Sequence, residues 1–296
     1  MINNTTYIHL GLHKTGSTFF QKTFYPGFNE FNYLPLRDMT VLGEFNQYIL
    51  REHPLTYDVG IARELFFKNL SEEFLADKSI TLCEEQLSGL PLQNASNRRL
   101  IFDRLHAFFP NAKYILVLRN QRDFIASMYA EYLKKGGMAS LNDFLAQKNT
   151  QLNFSRGTYL NYYAYYHYIK ELVGEARIKV LYYEKLKTNR SSFLEELQDY
   201  FGFKISVSED ILDSKNNVSI KQEKLESLRF YNRIGKTAYH KEHLIPRRFK
   251  KSVMAIHNFI SSNKTIDKHA VTHYLKTLDL NNEKLPDYIN IKDYGY

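Results

Sequence analysis

The stretch YIHLGLHKTGSTFFQKTFY, residues 7–25, decides the reading of the fold. An apolar strand pattern over 7–12 runs into a short polar turn and then into a helical pattern. Gly11 and Gly16 permit a tight turn and leave its amides uncovered by side chains. A turn that opens a helix also presents unpaired N–H groups at the positive end of the helix dipole. With Lys14 and the hydroxyls of Thr15, Ser17 and Thr18 added, the turn suits a phosphate or sulfate oxyanion. The expected ligand is anionic.

A nucleoside triphosphatase loop places Lys directly after its second Gly, with Ser or Thr next. Here Lys14 precedes Gly16, and Ser17 follows it. The order is instead similar to the 5′-phosphosulfate loop of sulfotransferases that use 3′-phosphoadenylyl sulfate (PAPS). The run HKTGST, from His13 to Thr18, with Gln21 a turn later, resembles the bacterial branch of that family.

A second stretch, AKYILVLRNQRDFIASMYAEY at 112–132, repeats the strand, basic turn and helix. Residues 114–118 are a continuous apolar run, and Phe124, Ile125, Met128, Tyr129 and Tyr132 recur at helical spacing. This resembles the family's 3′-phosphate motif. Arg119 matches its strand-end Arg and Ser127 its helical Ser, with Arg122 and Asp123 as the charged pair between. An Arg fork can hold two phosphate oxygens while the Ser hydroxyl adds a donor.

Strands are expected at 7–12, 79–83, 113–118 and 177–183, with helical patterns between them. Such alternation predicts a mostly parallel sheet covered on both faces, with ligands beyond the carboxyl ends of the strands. Helices are expected at 141–147, 159–172 and 192–201, the last stopped by Gly202. From 220 onward only amphipathic helices are expected, in IKQEKLESLRFYNRIGK and RRFKKSVMAIHNFI. The resemblance implies a three-layer P-loop-like α/β fold, one domain over 1–296 with a helical C-terminal part from about 220.

The same resemblance extends to three further segments. In SITLCEEQLSG the run CEEQL resembles the Ser-Glu-x-Leu of bacterial sulfotransferases, which aligns Glu85 with the family glutamate and makes Glu84 its neighbour. A general base must reach the acceptor proton, and Glu85, Glu84 or His13 could serve. Tyr183 with Glu184 resembles a Tyr-Glu pair whose Tyr approaches the nucleotide. Asn217 and Ser219 resemble a pair that precedes the late helix. The late Arg-Lys-Gly loop of the other branch is absent, with Lys215 and Lys221 as the nearest cations. His9, His106 and His167 are expected to pack structurally. So are most of Tyr159, Tyr162, Tyr163, Tyr166 and Tyr168, one face of which could line an acceptor groove.

Composition is compatible and less specific. The chain has 296 residues, 44% hydrophobic and 24% charged, which describes an ordinary globular protein. Its net charge of +8 suits a polyanionic cofactor or acidic acceptor, and would equally suit nucleic acid. Cys83 is the only cysteine, so neither an intrachain disulfide nor a multi-cysteine metal site can form. The absence of a signal-like N-terminus and of a run of roughly 18 apolar residues leads us to expect a cytoplasmic protein.

The function implied by the resemblance is sulfuryl transfer from PAPS, leaving 3′-phosphoadenosine 5′-phosphate (PAP), without a metal. The acceptor would be a hydroxyl or amine of a carbohydrate or glycolipid, and nucleic acid is not expected as a partner. Two alternatives stay open. A P-loop kinase would need Mg2+ and a carboxylate to hold it. A non-catalytic binder of anionic polysaccharide or nucleic acid would use the basic cluster of Arg247, Arg248, Lys250 and Lys251.

Overall fold

The structure is a computed structural model and describes residues 4–89, 97–146, 159–203, 225–234, 266–288 and 292–295. At its centre β1 (Thr6–Gly11) pairs in parallel with β3 (Ser79–Glu84) and β4 (Lys113–Leu118). The edge strands β2 (Phe31–Leu34) and β5 (Ile178–Tyr182) complete a five-stranded parallel sheet in the order β2-β3-β1-β4-β5.

The strands read as nearly continuous apolar runs because both sheet faces are covered. Alternation then sorts the side chains. Ile8, Leu10, Leu82, Leu116 and Val180 point into one core, against α2 (Gly43–Arg51), α3 (Val59–Phe67), α5 (Arg98–Phe108), α6 (Gln121–Lys134) and α8 (Tyr162–Val173). Tyr7, Cys83, Ile115, Val117 and Leu181 point into the other. That second core is closed by α1 (Ser17–Phe19, continuing as a π turn over Phe20–Phe24) and by α10 (Arg190–Phe201). Three layers result, the expected P-loop-like α/β architecture.

The strand expected at 113–118 has those bounds, and three others differ by one residue at one or both ends. β2 was not anticipated. It has four residues, and its two middle ones are only half-buried, so it lacks the long apolar run that marks the inner strands. The helix expected from 159 begins at Tyr162, where the Asn161 side chain accepts from the Ala164 amide and caps it. The helix expected from 141 ends at Leu145. Part of the first late amphipathic run is helical, as α11 (Leu225–Ile234). Residues 247–260, with their basic cluster, lie outside the described residues, as do Lys215, Asn217, Ser219 and Lys221.

A C-terminal strap crosses the carboxyl side of the sheet. Asn161 Nδ2 donates to the Asp279 carbonyl (2.9 Å), Gln121 Nε2 to Asn282 Oδ1 (2.8 Å) and Asn120 Nδ2 to the Tyr294 carbonyl (2.9 Å). Tyr182 donates its hydroxyl to the Pro286 carbonyl. Among the described residues, no helix is long and apolar enough to cross a membrane.

Candidate active site

The chain leaves β1 through Leu12 and turns sharply over His13–Gly16. Lys14 has φ 66° and Gly16 φ 86°, so the turn holds two left-handed residues, only one of them glycine. Gly16 is needed twice over, since a Cβ there would also come within 3.3 Å of the Tyr183 ring. The Thr15 hydroxyl donates to the Leu12 carbonyl at 2.5 Å and closes the turn from inside. It therefore faces the protein, not the mouth of the loop, and the buried Ser17 hydroxyl is turned to Glu85.

Three strand ends surround this loop. From β4, Arg119 donates through Nη1 to the Lys14 carbonyl at 2.8 Å, and its guanidinium lies 5.1 Å from the centre of the Tyr183 ring. Its Nε is buried without a hydrogen-bond partner. From β5, α9 (Tyr183–Thr188) begins with that same Tyr183, while buried Glu184 accepts the Asn120 amide at 3.1 Å. Asn120 also caps α6 by accepting from the Asp123 amide. From β3, Glu85 Oε2 accepts the Ser17 hydroxyl at 2.8 Å and lies 3.8 Å from His13 Nδ1.

The two glutamates after β3 are differently placed. Glu84 is almost fully buried, takes both 2.6 Å arms of the Arg37 fork and accepts the Gln86 amide at 3.1 Å. Its carboxylate is engaged on every side in holding the loop after β2 to the end of β3. Among the described residues, Glu85 receives hydrogen bonds from Arg37 Nη2, at 3.0 Å, and from Ser17, and it stays partly open. Burial alone would raise the Glu85 carboxyl, but His13, Ser17 and Arg37 outweigh it and hold it below the ordinary carboxylate range.

Lys14 Nζ pairs with Glu131 of α6 at 3.1 Å. Ser127, one turn earlier on that helix, is partly exposed. His13 is held on two sides, its amide donating to the Tyr159 hydroxyl at 3.2 Å and its Nε2 meeting the Gly89 carbonyl at 3.1 Å. Tyr159, Tyr162 and Tyr166 are buried in the core. His9 is fully buried beside the Tyr25 hydroxyl, in keeping with a packed strand residue.

The fold thus brings His13, Lys14, Thr15, Gly16, Ser17, Glu84, Glu85, Arg119 and Tyr183 to one end of the sheet. Arg37, Glu131, Asn120 and Glu184 were not singled out from sequence. Glu131 stands four residues after Ser127, on the same helix face, so helical spacing could have found it. Arg37 follows the unrecognised β2 and offered no such signal.

The family model described as a sulfotransferase domain matches residues 5–254. The chain belongs to the sulfotransferase family. As a sulfotransferase it is an enzyme of sulfuryl transfer, with PAPS as the family's donor. Solved structures similar to it include a sulfotransferase from Alicyclobacillus acidocaldarius, 15% identical over 78% of this chain and 91% of that one, with a TM-score of 0.49. The sulfotransferase domain of a Synechococcus olefin synthase is 15% identical over 99% of this chain and 95% of its own, TM-score 0.42. A mouse sulfotransferase complexed with PAP is 13% identical over 98% and 89%, TM-score 0.40. No curated protein matches this sulfotransferase.

Proposed function

We propose that this sulfotransferase moves the sulfuryl group of PAPS to a hydroxyl or amine of a carbohydrate or glycolipid, working in the cytoplasm as a single unit over 1–296. The observation that carries the site assignment is the convergence of the Lys14 loop, Arg119, Tyr183 and Glu85 at the carboxyl ends of four adjacent strands.

The residues present fit the donor. A buried Arg119 Nε without a partner suits a phosphate oxygen. Amides of residues 15–18 with the Ser17 and Thr18 hydroxyls would hold the 5′-phosphate, and Arg119 with Ser127 the 3′-phosphate. Tyr183, stacked between Arg119 and Gly16, would border the nucleotide. Asn217 and Ser219, outside the described residues, would join the cofactor site on the strength of the resemblance alone. When bound, PAPS supplies an activated sulfuryl group on a phosphate leaving group.

The chain's own contribution is positioning and charge stabilisation. Lys14 would exchange Glu131 for the charge that develops on the leaving phosphate. Glu85 takes the acceptor proton, while Glu84, already saturated by Arg37, fixes the segment that carries Glu85. The acceptor class rests on the resemblance to the bacterial branch and on the basic net charge.

The test is calorimetric titration with PAP, 5′-AMP and ATP, for wild type and Arg119→Ala. Binding that requires both the 3′-phosphate and Arg119 is expected. Equal affinity for all three nucleotides, or no binding, would sink the site assignment and favour a kinase or a polyanion binder.

A further inference from the structure

His13 and Glu85 aim two proton-accepting atoms at one point beside the Lys14 loop. His13 Nε2 lies 3.1 Å from the Gly89 carbonyl, and a carbonyl only accepts. Nε2 therefore carries a proton, and in the neutral ring Nδ1 keeps its lone pair. Nδ1 faces Glu85 Oε2 at 3.8 Å, too far for a hydrogen bond.

Neither group is free to turn away. Arg37 holds Glu85 Oε1 at 3.0 Å and so fixes the carboxylate, while Oε2, which accepts from Ser17 at 2.8 Å, is released to the acceptor when Ser17 turns its one proton to the 5′-phosphate. The Tyr159 hydroxyl takes the His13 amide, and the Tyr159 ring is itself covered by Arg98, 4.1 Å from its centre. Both side chains stay partly open, 14% exposed for His13 and 26% for Glu85.

One donor atom about 2.8 Å from each acceptor fits this separation as the apex of a triangle. A hydroxyl has a single proton, so it satisfies one acceptor and turns a lone pair on the other. An ammonium group satisfies both.

We propose that the acceptor nucleophile is a primary amine, seated between His13 Nδ1 and Glu85 Oε2. It rests on the sulfuryl-transfer reading and narrows its acceptor class. Proton stoichiometry points the same way. An ammonium that becomes a sulfamate loses two protons, whereas a hydroxyl that becomes a sulfate ester loses one. His13 Nδ1 takes the first proton and frees the amine lone pair. As the N–S bond forms, the S–O bond to the donor phosphate breaks and its electron pair leaves on that phosphate. Glu85 takes the second proton.

The surroundings suit a ring that is neutral at rest. Burial disfavours the charged imidazole, Glu85 and the hydrogen bond to the Gly89 carbonyl favour it, and Lys14 and Arg37 oppose it, with a net downward shift. Glu84 is neutralised by Arg37, and Tyr159 meets His13 through the backbone amide and through its ring, with the centroids 6.3 Å apart.

The test is nitrogen NMR of 15N-histidine-labelled protein, with PAP saturation first checked by calorimetry. His13 is assigned by loss of its signals in His13→Gln or, should that variant not fold, by cross-peaks to the Tyr159 ring, whose centroid is 6.3 Å away. The expected spectrum has Nδ1 as the unprotonated nitrogen. Added n-propylammonium should shift it towards the protonated position, and n-propanol at equal concentration should leave it in place. A proton on Nδ1 in the PAP complex, an equal response to both probes, or a response to neither would overturn the amine assignment. Failure of PAP to bind at all would instead overturn the underlying donor-site reading.

Discussion

Arg119 reaches across 105 residues of sequence to donate a 2.8 Å hydrogen bond to the carbonyl of Lys14. The residue expected to grip the 3′-phosphate thus also braces the loop expected to hold the 5′-phosphate. Lys14 has a positive φ, so its conformation depends on such support.

Arg119→Lys keeps the charge and loses the planar fork, so it cannot brace Lys14 and hold a phosphate together. PAP affinity should fall about 10- to 100-fold, the cost of one or two charge-assisted bonds. Affinity for 5′-AMP should fall far less. Calorimetry with the two nucleotides checks this, and an equal loss for both would assign Arg119 to the loop alone.

Arg37→Ala leaves the nearly inaccessible Glu84 carboxylate with no cation. Removing one partner of a buried pair is costly, and the half-exposed Arg37 side moderates it to about 2–4 kcal/mol. Arg37→Ala with Glu84→Gln should recover much of the loss, because the uncompensated charge is gone. Urea denaturation of the two variants decides it. No recovery would mean that Arg37 acts through packing or through Glu85.

His9 is buried with its Nε2 unpartnered, and burial pushes its imidazole from the ordinary value near 6.5 down to about 3. The folded state therefore binds fewer protons than the unfolded state between those values. His9 contributes stability that is fully present above pH 6.5 and lost as pH falls towards 3. The slope approaches about 1.4 kcal/mol per pH unit. Stability measured against pH for wild type and His9→Gln should differ by roughly that slope in this window. Parallel curves would show that His9 titrates normally or does not report on folding.

Glu131→Gln removes the counter-ion that Lys14 holds at 3.1 Å. Both side chains are a quarter to a third exposed, so the pair is worth about 1 kcal/mol. PAP should bind about fivefold more tightly, since Lys14 no longer leaves a carboxylate to meet the ligand. Weaker PAP binding in this variant would show that Glu131 orients Lys14 towards the nucleotide.

The inner strands and both turn motifs were legible because they depend on local chemistry. A central parallel strand must be apolar on both faces, which marks β1, β3 and β4 plainly. A tight turn into a helix needs Gly16, and an anion site beside it needs Lys14, so HKTGST carries its own meaning. Arg119 and Ser127 were singled out by their resemblance to the family's 3′-phosphate motif. β2 was not, being short, peripheral and half-polar.

What the amino-acid order determined by itself was the inner strands, the two anion turns and the family they resemble. Which groups meet was left to the tertiary structure. The resemblance aligned Glu85 with the family glutamate and left Glu84 as a possible base, yet strand alternation buries Glu84 against Arg37 and leaves Glu85 at the loop mouth. The pairing of Lys14 with Glu131, and the bracing of Lys14 by Arg119, join residues more than a hundred positions apart. Such contacts arise only when β4 lies beside β1 and brings its turn against the Lys14 loop, a neighbourhood that no local pattern encodes.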